Sequence, residues 1–185
     1  MSSDFPRLIS LACHDLRTPL ATVQGFAKTL LRQVEIEGQA VRWLEMIDEA
    51  SQELVVQLDE LSVVARIEGG RYDPVTREVD SLELARAALP GASGSGAPVQ
   101  VDVEAVERSL AALVRAASRH GGVEVGVTVH GAQLAIAPIV PEATAIVLGE
   151  ELKDFGAAVA VRVVRALGGT VALDGERLVV TLSQP

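Results

Sequence analysis

Cysteine is nearly absent from this chain. The single Cys13 cannot close an internal disulfide, and no cysteine cluster is available to hold zinc or an iron–sulfur centre. An intracellular, cytoplasmic setting is the expectation that follows. Aromatic residues make up only 3% of the sequence, and Trp43 and Tyr72 stand too far from other rings to build a base-stacking platform. Basic residues are outnumbered, 16 against 25 acidic, so a nucleic-acid surface would have to form against a net charge of -9. Long apolar runs are missing as well. Charges interrupt each apolar window before the roughly 18 residues of a membrane span, and the opening MSSDFPRLIS has no basic segment leading into an apolar core. Nucleic-acid binding, secretion and membrane insertion are therefore not expected. What the 185 residues do contain is aliphatic: 49% are hydrophobic, an ordinary share, but they are chiefly Ala, Val and Leu, and a mean hydropathy of +0.32 with so few aromatics points to more apolar surface than one monomer readily hides. Association between copies is the natural outlet.

The aliphatic residues are patterned. From Phe5 to about Val34 they fall at Ile9, Cys13, Leu16, Leu20, Val23, Ala27, Leu30 and Val34, alternating four and three apart, which is a heptad seam. A second seam runs from Val41 to about Ile67 through Leu44, Ile47, Ser51, Leu54, Leu58, Leu61 and Ala65, with Ser51 as its one polar member. Glu35-Ile36-Glu37-Gly38-Gln39 between them is short and carries a glycine suited to a helix end, so the helices should double back antiparallel. A two-helix hairpin cannot bury both seams against itself. Two copies can, as a dimeric four-helix bundle in which each buried large side chain contributes roughly 1.5–3 kcal/mol.

Gly69-Gly70 and the turn-rich residues up to Pro74 mark a boundary, dividing the chain into a helical hairpin at 1–70 and a second domain at 71–185. In the second domain the pattern predicts a short helix at Ser81–Leu89, a flexible Pro90–Pro98 and a helix at Ala105–Ser118. A strand pair at Val123–Val129 and Leu134–Ile139 should follow, then a helix at Ala157–Leu167 and a last hairpin through Asp174-Gly175-Glu176. The result is a small α+β sandwich with helices on one sheet.

With His14 at the origin of a helical wheel, the seam occupies the arc from about 140° to 260°, so His14 points away from the core. Leu11, Thr18, Ala21, Gly25, Lys28 and Arg32 share its face, and Asp15 is one step aside. A lone exposed histidine is ordinarily a solvated side chain. Here it opens the string His14-Asp15-Leu16-Arg17-Thr18-Pro19-Leu20, which resembles at every position the phosphoacceptor box of sensor histidine kinases. Asp59-Glu60-Leu61-Ser62 and Arg66-Ile67-Glu68-Gly69-Gly70-Arg71 resemble the closing stretch of that family's second helix.

The residue types suit phosphoryl transfer. A neutral imidazole is nucleophilic at one ring nitrogen, and Asp15 can hold the other and offset positive charge as the new bond forms. The resemblance implies that Thr18 serves phosphatase activity by orienting a water or an incoming group. Pro19 leaves the Asp15 carbonyl without a helical donor and should bend the helix. Ala21 and Gly25 keep the surface low, so that with Leu11, Lys28 and Arg32 they form the expected docking face for another protein's helix.

Residues 71–185 resemble the ATP-binding domain of the same family in element order but depart from its motifs. Ala116 stands where an asparagine would hold Mg²⁺, and Leu134–Pro141 lacks the aspartate that reads adenine. Asp154 precedes the lone Gly156 where a glycine-rich turn would face phosphate, and the acidic Pro141–Lys153 is short for a lid. No bound ATP, Mg²⁺ or other cofactor, and no metal site, is expected; His120 and His130 read as surface residues. The resemblance thus implies a homodimeric histidine phosphotransferase exchanging a phosphoryl group between His14 and the aspartate of a response-regulator receiver domain, like the dimeric phosphotransferases with vestigial ATP domains. Two alternatives stay open: a kinase with an unusual nucleotide site or a pseudokinase acting as a response-regulator phosphatase, and a non-catalytic docking module. Nothing like a sensor segment precedes residue 5, so a signal is expected to arrive through a partner.

Overall fold

The computed structural model describes residues 5–32 and 38–185, with the side chains of Phe5, Arg7 and Leu8 also outside the description. It divides into two compact units, Met1–Arg71 and Tyr72–Pro185.

The first unit is a pair of packed helices, α1 (Phe5–Leu31) and α2 (Gln39–Glu68). The expected seam end at Val34 and the connecting residues 35–37 lie outside the described residues; Gly38 at φ 70° leads directly into α2. Along each helix the heptad splits into two sets. Cys13 and Ala27 on α1, with half-buried Leu20 between them, turn inward, as do Ser51 and Ala65 on α2 around half-buried Leu58. Most of the alternate set does not: Leu16 is 54% exposed, Val23 47% and Leu54 49%, joined by Leu30 and Ile47, while Ile9 and Leu61 are half-buried. Half of the seam therefore closes the hairpin and half remains as an apolar stripe. Ser51 fits the inward set because its hydroxyl donates to the Ile47 carbonyl at 2.6 Å, leaving no polar atom unsatisfied.

In the second unit the order is β1 (Arg77–Asp80), α3 (Ser81–Ala88), β2 (Ser93–Gly96), β3 (Pro98–Val101), α4 (Val103–Gly121), β4 (Gly126–Gly131), β5 (Gln133–Ala137), α5 (Pro141–Val147), α6 (Phe155–Ala166), β6 (Thr170–Asp174) and β7 (Arg177–Thr181). Five strands form a mixed sheet in the order β2-β4-β5-β7-β6, and β1 pairs antiparallel with β3 as a separate ribbon. Alternate residues Val127 and Val129, Leu134 and Ile136, and Leu178 and Val180 enter the core, where they meet Leu84 of α3, Leu110 and Leu113 of α4 and Val161 and Val164 of α6.

Helix starts follow side-chain caps. Asp80 accepts from the amides of Leu82 and Glu83, Asp102 from Ala105, and Asp154 from Ala157. One expectation needs correction. Pro90–Pro98 is not a flexible stretch: Ser93–Gly96 pairs parallel with β4, and Ala92 is buried beneath it. Pro141–Lys153 opens with a helix whose Ala143 and Val147 are fully buried in the core.

Candidate phosphoacceptor site

His14 follows the buried Cys13 on α1, so the 100° step that puts one side chain in the seam turns the next outward. Its side chain is 78% exposed. Nδ1 lies 3.1 Å from Asp15 Oδ1. A carboxylate oxygen only accepts, so in this contact Nδ1 is the donor, which in the neutral ring leaves the lone pair on Nε2.

One turn on, Thr18 is exposed on the same face. Thr22 and Thr29 spend their hydroxyls on carbonyls four residues back, those of Thr18 and Gly25. Among the described residues the Thr18 hydroxyl has no such partner. Pro19 sits inside α1, which continues through it with the Asp15 carbonyl deprived of its helical N–H donor.

Leu11, Ala21, Gly25 and Arg32 are all exposed, and a Cβ added at Gly25 would meet nothing within 4 Å. These residues are thus open to solvent and the surface at Gly25 is low. Lys28 lies at its margin: Nζ is 3.8 Å from Asp48 Oδ1 on α2, whose other oxygen accepts from Gln52 Nε2 at 2.8 Å.

Arg17 was not singled out by the sequence. Its Nη2 donates to Asp59 Oδ1 at 2.7 Å and to Ser62 Oγ at 3.3 Å, tying the box on α1 to the Asp59–Ser62 stretch of α2. Both ends of this bridge lie in motifs legible in the sequence. Their pairing depends on the register between two helices, which no local pattern carries.

In the second unit Ala116 is completely buried, a methyl group packed in the core. Leu134 and Ile136 are likewise fully buried on β5. Asp154 is 9% exposed and occupied three ways, by the Ala157 amide at 3.0 Å, His120 Nε2 at 3.1 Å and Arg119 Nη1 at 3.4 Å. His120 is therefore no simple surface residue, having turned inward to share a carboxylate at the start of α6; His130 on β4 is exposed as expected. Among the described residues no group of three or more His, Cys, Asp or Glu is arranged to hold a metal, and no helix is long and apolar enough to cross a membrane.

Residues 7–70 match the His Kinase A (phospho-acceptor) domain. Among solved structures, the chain is similar to full-length ShkA in complex with AMPPNP, with a TM-score of 0.69 and 19% identity over 97% of this chain and 47% of that one. It is also similar to the Acinetobacter baumannii histidine kinase AdeS, with a TM-score of 0.56 and 19% identity over 92% of this chain and 98% of that one. The chain spans about half the length of ShkA. No curated protein sequence matches it. At these identities the likeness to the solved structures is one of fold.

Proposed function

Starting from a chain whose residues 7–70 match the His Kinase A phospho-acceptor domain and which has the histidine kinase fold, we propose that it works as a homodimeric histidine phosphotransferase of the cytoplasm. It exchanges a phosphoryl group between His14 and the aspartate of a response-regulator receiver domain. One observation carries this reading: an exposed imidazole whose Nδ1 is held by Asp15 and whose Nε2 is free. In transfer from a receiver, the Nε2 lone pair attacks phosphorus, the bond from phosphorus to the aspartyl oxygen breaks, and the receiver aspartate leaves as a carboxylate. The imidazole keeps its proton on Nδ1, and Asp15 balances the charge spread over the ring. The reverse transfer retraces these steps.

The uncovered stripe of Leu16, Val23, Leu30, Ile47 and Leu54 supports the dimer, since a second copy presents the same stripe in return. For the phosphoryl source we favour another protein over ATP. Ala116 puts a buried methyl group where the family resemblance calls for a Mg²⁺ ligand, Leu134–Pro141 offers no carboxylate, and the first turn of α6 is already capped by Asp154. Saturable ATP or ADP binding is expected only above about millimolar, the level at which ~4 kcal/mol of binding free energy remains.

The unengaged Thr18 hydroxyl, one turn from His14, favours a second activity at the same face, hydrolysis of the receiver acyl phosphate with a water oriented by Thr18. The test is to incubate the chain with radiolabelled, phosphorylated receiver domains from the same genome, and separately with γ-labelled ATP. Acid-labile label should reach the wild-type chain from a receiver and be lost in His14→Ala, with ATP giving none. Label from ATP alone, or label that survives His14→Ala, overturns the reading.

A further inference from the structure

We infer that Arg17 is a positioning residue: through Asp59 and Ser62 it fixes the direction in which α1 presents His14 and Thr18 to a partner protein, an inference that rests on the proposed transfer reaction. Arg17 stands between His14 and Thr18 in sequence, on the flank of α1 that turns toward α2, and its guanidinium reaches both Asp59 Oδ1 and Ser62 Oγ. The helix is weakest here. Pro19 removes the N–H that would bond the Asp15 carbonyl, so the turn containing His14, Asp15 and Thr18 is one rung short. A tether from the same turn to the neighbouring helix replaces some of the lost restraint from outside. Both bonds leave one nitrogen, Nη2, whose two N–H groups are held in the guanidinium plane, so they fix direction as well as distance, whereas an ammonium rotates freely about its stem.

The pair is partly exposed, 38% at Arg17 and 49% at Asp59, and such pairs contribute little to overall stability. Its effect should therefore be on geometry. Transfer between two proteins needs the Nε2 lone pair in line with the receiver's acyl phosphate, and misplacement by about 1 Å can cost roughly a hundredfold in rate. Attack on a small diffusible donor has no such requirement, because the donor can approach an exposed imidazole from any side.

The experiment uses that difference. Wild type, Arg17→Ala, Arg17→Lys, Asp59→Ala and the exchange Arg17→Asp with Asp59→Arg are each phosphorylated on His14 with potassium phosphoramidate, which forms the Nε2–phosphorus bond and releases ammonia. Each is then mixed with the receiver domain that accepts from wild type. Phosphoramidate labelling should be the same within about twofold throughout, while transfer to the receiver falls at least tenfold in Arg17→Ala and Asp59→Ala. Arg17→Lys should be intermediate, and the exchanged pair should recover a substantial part of the rate. Transfer from Arg17→Ala at the wild-type rate overturns the inference and leaves the proposed function standing. Wild-type chain that labels on His14 yet donates to no receiver overturns the transfer reading, and this inference with it.

Discussion

At the scale of single residues, the division of labour between His14 and Asp15 is the sharpest expectation. Asp15→Asn keeps the size of the side chain but removes its charge, and its amide can no longer be relied on to accept from Nδ1. Transfer at His14 should slow by about 10–100-fold, a range in keeping with loss of a charge-assisted hydrogen bond to a reacting group. The His14 ring should stay exposed, and two-dimensional nitrogen NMR should show its proton shared between the two nitrogens where the wild type favours Nδ1. Unchanged kinetics and tautomer would remove Asp15 from the site. Thr18→Val should leave transfer to His14 within about threefold and slow receiver dephosphorylation by at least tenfold, measured as loss of receiver-bound label. His14, Asp15 and Thr18 were legible because they lie within five residues of one helix, His14 and Thr18 on one face and Asp15 beside them. Arg17 was not, since the group that explains it is 42 positions away.

Secondary-structure elements show the same division between local and distant causes. The helices α1, α2, α4 and α6 could be read directly from their apolar periodicity, though α4 begins two residues before the expected Ala105, capped by Asp102, and ends at Gly122 in the left-handed conformation. Strand β2 could not. Ser93-Gly94-Ser95-Gly96 has the composition of a linker, and only pairing with β4 makes it a strand, a case of tertiary context overriding propensity. Gly94 is tied to that pairing: at φ 123° an added Cβ would run into the Val129 carbonyl oxygen. Gly94→Ala should destabilise the second unit by about 1–3 kcal/mol, seen as a lower thermal midpoint, while the hairpin's helicity is unaffected. On α2, Ser51→Ala should be neutral or stabilising by a few tenths of a kcal/mol, since the hydroxyl satisfies only itself and alanine is the better helix former. A large loss of stability in that variant would mean that the hydroxyl has another partner.

For the whole molecule, the split heptad separates association from folding. Leu54→Asp places a charge on the exposed stripe and should yield a folded hairpin that no longer dimerises, whereas Leu58→Asp, on the inward set, should cost the hairpin its helicity. Light scattering and circular dichroism on the two variants distinguish these outcomes. A monomeric wild type at micromolar concentration would refute the dimer. The edge strand β2 bears on a different hazard. A chain with a mean hydropathy of +0.32 and a five-stranded sheet is exposed to runaway strand addition, as in amyloid, whenever an edge offers a long, flat row of unpaired backbone N–H and C=O groups. This sheet ends on one side in a strand of only four residues, with Gly94 at φ 123°, so an incoming strand meets a short, irregular row of backbone groups. The same brevity that helped hide β2 from the sequence should keep the protein dispersed in a crowded cell.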